Sequence, residues 1–430
     1  MEVRRGQSAK QWLFAAWLAA VVFVFPIPHT IALRNLLLLA GVLALLWACR
    51  KSMPGRVPSL RPAAWCLIAL TSWITFHSIA VAPAPTLALD NLRGDWIVPL
   101  LTAALAAWAA VQLPQGRAAQ AVTLALAAHM VWLLGWQLHL WLVAGPWPFK
   151  ATPFAAYDYQ GTLNSFFLSL LVADRLAWVL DKCSPLALGQ RFGWALLLLS
   201  LASDLALQSR NSTAITVLLL LAASLALLRA WSRQWRVIAI ATGMIAMIGA
   251  GSLSFDSRWQ GLRESAAVGW SSPSLHWLTN DAATRPVTPS GAGLEESAYL
   301  RAALAHQAMK AIGEHPFGLG FGRDGFGRAI AEKYNSPGMV SSHSGWLDFA
   351  LGAGLPGLAL LLLTASLAIR GGWMSFRQHG DGAGLMLSFL VGGYSVRCLL
   401  DGHLSGWRLG LFAFICGVLI ATMKRSRRQP

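Results

Sequence analysis

Apolar residues recur along this chain in runs about as long as a bilayer is thick, roughly 20 residues each, and short polar stretches separate them. Alternating segments of the kind that build a membrane β-barrel are missing. The pattern predicts an all-α polytopic membrane protein with about 12 transmembrane helices. The expected spans are approximately 11–28, 30–49, 63–82, 96–112, 118–144, 160–181, 191–208, 212–231, 235–254, 345–368, 383–400 and 406–423. The run after Arg4, Arg5 and Lys10 resembles a signal peptide in its charge, but it continues to Pro26 without a small-residue cleavage site and is read as the first span.

One stretch breaks the pattern. From Phe255 to His343 the chain is polar and mixed in charge, with Arg258, Arg263, Arg285, Arg301, Lys310, Arg323, Arg328 and Lys333 set against a similar number of acids. Three regions follow: 1–254 with helices 1–9, 255–342 as a large loop or lid, and 343–430 with helices 10–12. Within the loop, residues 271–293 are rich in Ser, Thr, Pro and Gly and read as mobile. From Glu295 to Glu314 the composition turns helical, with Ala298, Leu304, Ala305, Ala308, Met309 and Ile312 forming an apolar face. Glu295 and Glu296 suit the positive end of that helix. His315-Pro316 should end it, because the residue before proline resists helical dihedrals.

Composition agrees with the pattern. The 430 residues are 56% hydrophobic and 12% charged, whereas a soluble domain carries roughly a quarter charged residues. The net charge of +16 is placed in loops on one side, so no nucleic-acid partner is expected. With the N-terminus inside, that side holds Arg50, Lys51, Arg56, Arg61, Arg229, Arg233, Arg236, Lys424 and Arg425. The short outer loops hold little beyond Arg93, Lys150 and Arg210. The asymmetry puts both termini in the cytoplasm and the large loop outside. The five cysteines lie in or beside apolar segments with no CxxC pair, so neither disulfides nor a zinc site is expected.

Arg210, in Gln208-Ser209-Arg210-Asn211-Ser212, sits between two apolar runs at the outer surface. A charge there faces a cavity or partner, or snorkels to headgroups. Arg301 lies on the loop helix, and Arg258 follows the ninth span. Arg34, Arg175 and Arg397 lie within or near spans, Arg175 with Asp174 as a structural feature. His343 stands before span ten; a neutral imidazole can accept a proton from a hydroxyl. His29, His77, His139 and His403 also lie towards the outer side, so position does not single His343 out. Gly320-x-Gly322-x-x-Gly325 matches a dinucleotide fingerprint but lacks the strand–helix context that gives it meaning, and a tight turn is expected instead. No HExxH, grouped outer carboxylates or GxSxG occur, so no metal, cofactor or serine nucleophile is expected. Several outer arginines with one histidine suit a lipid-linked pyrophosphate, whose oxygens a guanidinium fork binds in two contacts.

The chain resembles the bacterial O-antigen ligase superfamily, which includes O-antigen polymerases and protein O-oligosaccharyltransferases. Ser209-Arg210 is similar to its Ser-Arg at the head of a membrane helix. Arg301 through His315-Pro316-Phe317-Gly318-Leu319-Gly320-Phe321-Gly322 is similar to its loop helix and glycine turn. His343 through Leu347, then Gly352, Gly354, Leu355 and Gly357, is similar to its His-x-x-x-Leu and Gly-Leu-x-Gly stretches. The resemblance implies a glycosyltransferase of the inner membrane with its large loop in the periplasm. It would move a glycan from undecaprenyl pyrophosphate to a sugar hydroxyl of lipid A–core, inverting and without metal. His343 would be the base and Arg210 and Arg301 would bind the pyrophosphate, with Arg258 and Arg323 as further candidates. A polymerase and a protein O-oligosaccharyltransferase are alternatives within the superfamily. A flippase or transporter of a lipid-linked anion is the alternative from another class, disfavoured because the cations gather around one loop and no internal repeat is evident.

Overall fold

The computed structural model describes residues 2–48, 57–153, 156–181, 184–229, 243, 261–272, 274–279, 281–291, 293–322, 324–335 and 341–423. Every regular element among them is helical. Helices α1 (Glu2–Val24), α2 (Ile31–Ala48), α3 (Arg61–Ala80), α4 (Pro85–Leu92), α5 (Val98–Ala110), α6 (Arg117–Ala144), α7 (Tyr157–Asp181), α8 (Gln190–Leu207) and α9 (Arg210–Arg229) form the first part. The loop contributes α10 (Leu262–Ser271), α11 (His276–Thr279), α12 (Glu296–Glu314) and α13 (Gly325–Tyr334), and the chain ends in α14 (Gly345–His379), α15 (Gly382–Leu400) and α16 (Gly406–Thr422). A helix coincides with each expected span except the ninth, 235–254, which apart from residue 243 lies outside the described residues. Among the described residues, six helices are long and apolar enough to cross a membrane: Pro58–Ala80, Arg117–Ala144, Tyr157–Asp181, Arg210–Leu227, Gly345–His379 and Gly382–Leu400.

α7 is the buried axis of the bundle, packing on α6, α8, α9 and α15. Small residues allow the approach. A methyl group at Gly161 would meet Ser212 Oγ at 2.5 Å, and one at Gly393 would meet Ser169 Oγ at 2.8 Å. Between apolar helices in lipid, such close backbone contact replaces the hydrophobic drive that is missing there.

The loop has a core of its own, in which Trp277, Tyr299, Leu304, Phe326 and Ile330 pack with Leu351 of α14. The expected loop helix forms within its expected limits. Glu295 is its N-cap, its carboxylate accepting from the Ala298 amide at 2.7 Å, and His315 leaves helical dihedrals before Pro316. The buried face differs slightly from the expected one: Tyr299, Ala303, Leu304, Ala308 and Ala311 are inside, while Met309 is exposed. Tyr299, a residue the apolar count passed over, is the largest group on that face. The segment 271–293, read as mobile, holds α11, whose Trp277 is buried edge-on against Tyr334. His276 of the same stretch is also buried and meets Glu296 at 3.1 Å.

The glycine turn is pinned to a break in α14. Gly354 has φ 75° and ψ 170°, so the expected single span is two helical pieces. Around the break, Leu319 N donates to Leu351 O at 2.7 Å, Gly320 N to Gly352 O at 3.1 Å, and Leu355 N to Pro316 O at 2.8 Å. Trp73 Nε1 caps the Ala353 carbonyl at 2.8 Å. His77 Nε2 meets the Phe317 carbonyl at 2.6 Å. The fingerprint-like glycines thus serve backbone packing. A Cβ on Gly354 would lie 2.5 Å from the Phe317 carbonyl oxygen. Gly354→Ala should lower stability by about 1–3 kcal/mol. Gly313→Ala, in open space on α12, should change it by less than about 1 kcal/mol. Thermal unfolding in detergent, compared for the two variants, checks this.

Candidate functional site

The site forms where α9 begins. Gln208, at φ 44°, ends α8 in the left-handed region, and Arg210 opens α9 two residues later. That short reversal leaves Arg210 and Asn211 together beneath α12. Arg210 Nη2 donates to Glu295 Oε1 at 2.8 Å, and both side chains are largely buried, at 11% and 12% exposure. Arg301, further along α12, donates from Nη1 to Asn211 Oδ1 at 2.7 Å. Its Nη2 lies 3.6 Å from Asp401 Oδ1, and 36% of its side chain remains exposed. The loop helix therefore crosses the start of α9 through two polar contacts.

His343 approaches from the start of α14. Asp348 organises its segment, accepting from Ser341 Oγ at 2.7 Å and from the Ser342 amide at 2.8 Å. Ser341 Oγ in turn accepts from the His343 amide at 3.1 Å. His343 itself has φ 59°, an uncommon conformation for a residue with a Cβ and one found mainly where surroundings enforce it. Gly345 N donates to the Asp401 carbonyl at 3.1 Å, tying this segment to the α15–α16 loop. The ring is exposed, yet enough protein surrounds it that desolvation lowers its pKa. The charge of Arg301 lowers it further, and that of Asp401 opposes both. A neutral imidazole is the form that accepts a proton.

Beneath lies a buried guanidinium. Arg397 is fully buried. It donates to His403 Nε2 at 3.0 Å, Ser165 Oγ at 3.0 Å, Ser212 Oγ at 3.1 Å and the Gly161 carbonyl at 3.2 Å. Its Nη2 lies 3.5 Å from Asp401 Oδ2. Asp401 thus stands between two arginines, one committed to the bundle and one reaching outwards. His403, which accepts from Arg397, is kept neutral mainly by burial, with the charges of Arg397 and Arg408 adding to the effect.

The structure thus draws Arg210, Arg301 and His343 into one neighbourhood from three distant blocks. Arg258 and Arg323 lie outside the described residues. Of the other candidate histidines, His77 and His403 are buried and hydrogen-bonded. Arg175 pairs with Asp174 and reaches the Gln190 carbonyl, a structural placement as expected. Sequence reasoning passed over Asn211, Glu295 and Asp401 as site residues. Asp401 did leave a signal, since it follows Arg397 by four residues, the spacing of a helical ion pair. Among the described residues, no group of three or more His, Cys, Asp or Glu side chains is arranged to hold a metal ion.

These features define a multi-pass membrane protein, helical in every regular element among the described residues, with a cluster of arginines beside a packed loop layer. Residues 195–362 match the family model described as O-Antigen ligase. That segment of the chain is similar to the O-antigen ligase family. The matched segment contains Arg210, Arg301 and His343 and ends before Arg397 and Asp401. No curated protein matches the chain.

The electrostatics of His343 can be read directly. Its ring should titrate below the usual value of about 6.5, followed by NMR of labelled histidine. Asp401→Asn removes the opposing negative charge and should move the midpoint further down. Arg301→Gln should move it up. Shifts in the reverse directions would place neither group beside the ring.

Proposed function

We propose that the protein is an O-antigen ligase of the bacterial inner membrane, acting on its periplasmic side. The donor is a glycan on undecaprenyl pyrophosphate and the acceptor is a sugar hydroxyl of lipid A–core. His343 takes the hydroxyl proton as the acceptor oxygen bonds to the anomeric carbon. The bond from that carbon to the pyrophosphate breaks, and its electron pair stays on the leaving oxygen. Arg210 and Arg301 hold the pyrophosphate and stabilise the charge that grows on it. Donors fixed in advance in a site of low dielectric do this without reorganising during the reaction. Attack on the face opposite the leaving group inverts the anomeric centre, and no metal has a part in this scheme.

The observation that carries the reading is the convergence of three separated blocks. Arg210 and Arg301 are joined through α12 and Asn211, and the charge of Arg301 acts on His343. Arg301 also keeps much of its side chain exposed, so a phosphate can reach it. The histidine's lowered pKa suits a base that works near neutral pH.

Purified protein in detergent, with a chelator, lipid-pyrophosphate glycan and lipid A–core, tests the reading by gel shift. Wild type should transfer glycan to core and folded His343→Ala should not. Arg210→Gln and Arg301→Gln should each lower kcat by about 10²–10³, the scale seen when one charge-stabilising donor is removed. Equal transfer by wild type and His343→Ala would remove the histidine from the mechanism. Elongation of the donor without transfer to core would make the chain a polymerase. Movement of donor across vesicles with its glycosidic bond intact would make it a transporter.

A further inference from the structure

The two arginines assigned to the pyrophosphate stand in different states. Arg301 faces a neutral amide at 2.7 Å and a carboxylate at the longer distance of 3.6 Å, and it is over a third exposed. Arg210 is largely buried and already holds a carboxylate oxygen of Glu295 at 2.8 Å. A carboxylate and a phosphate offer a guanidinium the same pair of acceptor oxygens. A pyrophosphate brought beside Arg210 while Glu295 stays would therefore meet a neutralised cation and a like charge.

Glu295 is also the N-cap of α12. Its second oxygen accepts from the Ala298 amide at 2.7 Å. Its own amide donates to Ser265 Oγ of α10 at 2.8 Å. α10 and α12 touch backbone to side: a methyl group at Gly269 would fall 2.2 Å from the Tyr299 carbonyl oxygen. One carboxylate thus links the occupancy of Arg210 to the first turn of the loop helix and, through it, to the packed α10–α12 pair.

We propose that Glu295 is a placeholder for the donor's pyrophosphate: it holds Arg210 in the empty enzyme, leaves when the lipid pyrophosphate binds, and so couples donor binding to the position of the loop helix. The proposal rests on the pyrophosphate reading given above. Glu295 acts through Arg210 and the helix and is a positioning residue. Before the donor binds, it keeps a carboxylate against the largely buried Arg210. On exchange, phosphate oxygens replace the carboxylate at Arg210, and α12 loses its side-chain cap.

A prenyl pyrophosphate without glycan is the probe, added to the full-length protein in detergent. Binding is measured by titration, and backbone hydrogen exchange is followed in the peptide covering Ala298. In wild type the ligand should speed exchange at the first turn of α12. Glu295→Gln, which removes the charge but keeps the shape, should bind the probe about tenfold more tightly and show no ligand-dependent change in that turn. Its gain in affinity should vanish in an Arg210→Gln background, since the two groups act as a pair. Unchanged exchange in wild type, or equal or weaker binding by Glu295→Gln, would overturn the placeholder while leaving the pyrophosphate site intact. Failure of wild type to bind the probe at all would overturn the pyrophosphate reading and the placeholder with it. The wild-type exchange measurement needs no variant to fold.

Discussion

A guanidinium without access to water has to be satisfied by protein, and Arg397 is such a group. A lone charge buried in a bilayer protein costs several kcal/mol, so every element that supplies a partner is held to it. α7 supplies the Gly161 carbonyl and Ser165, α9 supplies Ser212, and the α15–α16 loop supplies His403 and Asp401. The consequence reaches the surface. Ser212 lies two residues from Arg210, and Asp401 meets both Arg301 and the segment bearing His343. The candidate site is thus the more exposed face of a polar network centred on the buried Arg397.

The second constraint is backbone shape. A helix that crosses lipid hides its own polar groups, and a break exposes them. α14 breaks at Gly354, and the carbonyls and amides it frees are taken by the glycine turn and by Trp73. The turn and the break therefore need each other, and the loop is fastened to the bundle close to the start of α14, where His343 lies. This gives the glycine-rich stretches a physical task that a nucleotide-binding motif would not explain.

The proposed division of labour at the site follows from residue chemistry. Arginine keeps its charge and offers a planar fork, so it serves where an anion must be held. Histidine changes its charge near neutral pH, so it serves where a proton must move. Asp401 lies between Arg301 and Arg397, and Glu295 pairs with Arg210.

Sequence by itself determined the helical class, the approximate place of the described helices that coincide with expected spans, and the limits of the loop helix from Glu295 to His315. Those depend on hydropathy and on local dihedral preference, which neighbours in the chain carry. It also picked out Arg210, Arg301 and His343, partly through resemblance. It did not reveal that Met309 faces outwards while Tyr299 is buried, because a helix's rotation is decided by what packs on it. Nor did it reveal that Trp277 and His276 of 271–293 are buried, or that span ten breaks at Gly354. The roles of Asn211, Glu295 and Asp401 were equally hidden, since each depends on a partner dozens or hundreds of residues away. Local sequence carries the period of an element; only the folded chain decides which polar groups meet in a setting dry enough for their pairing to matter.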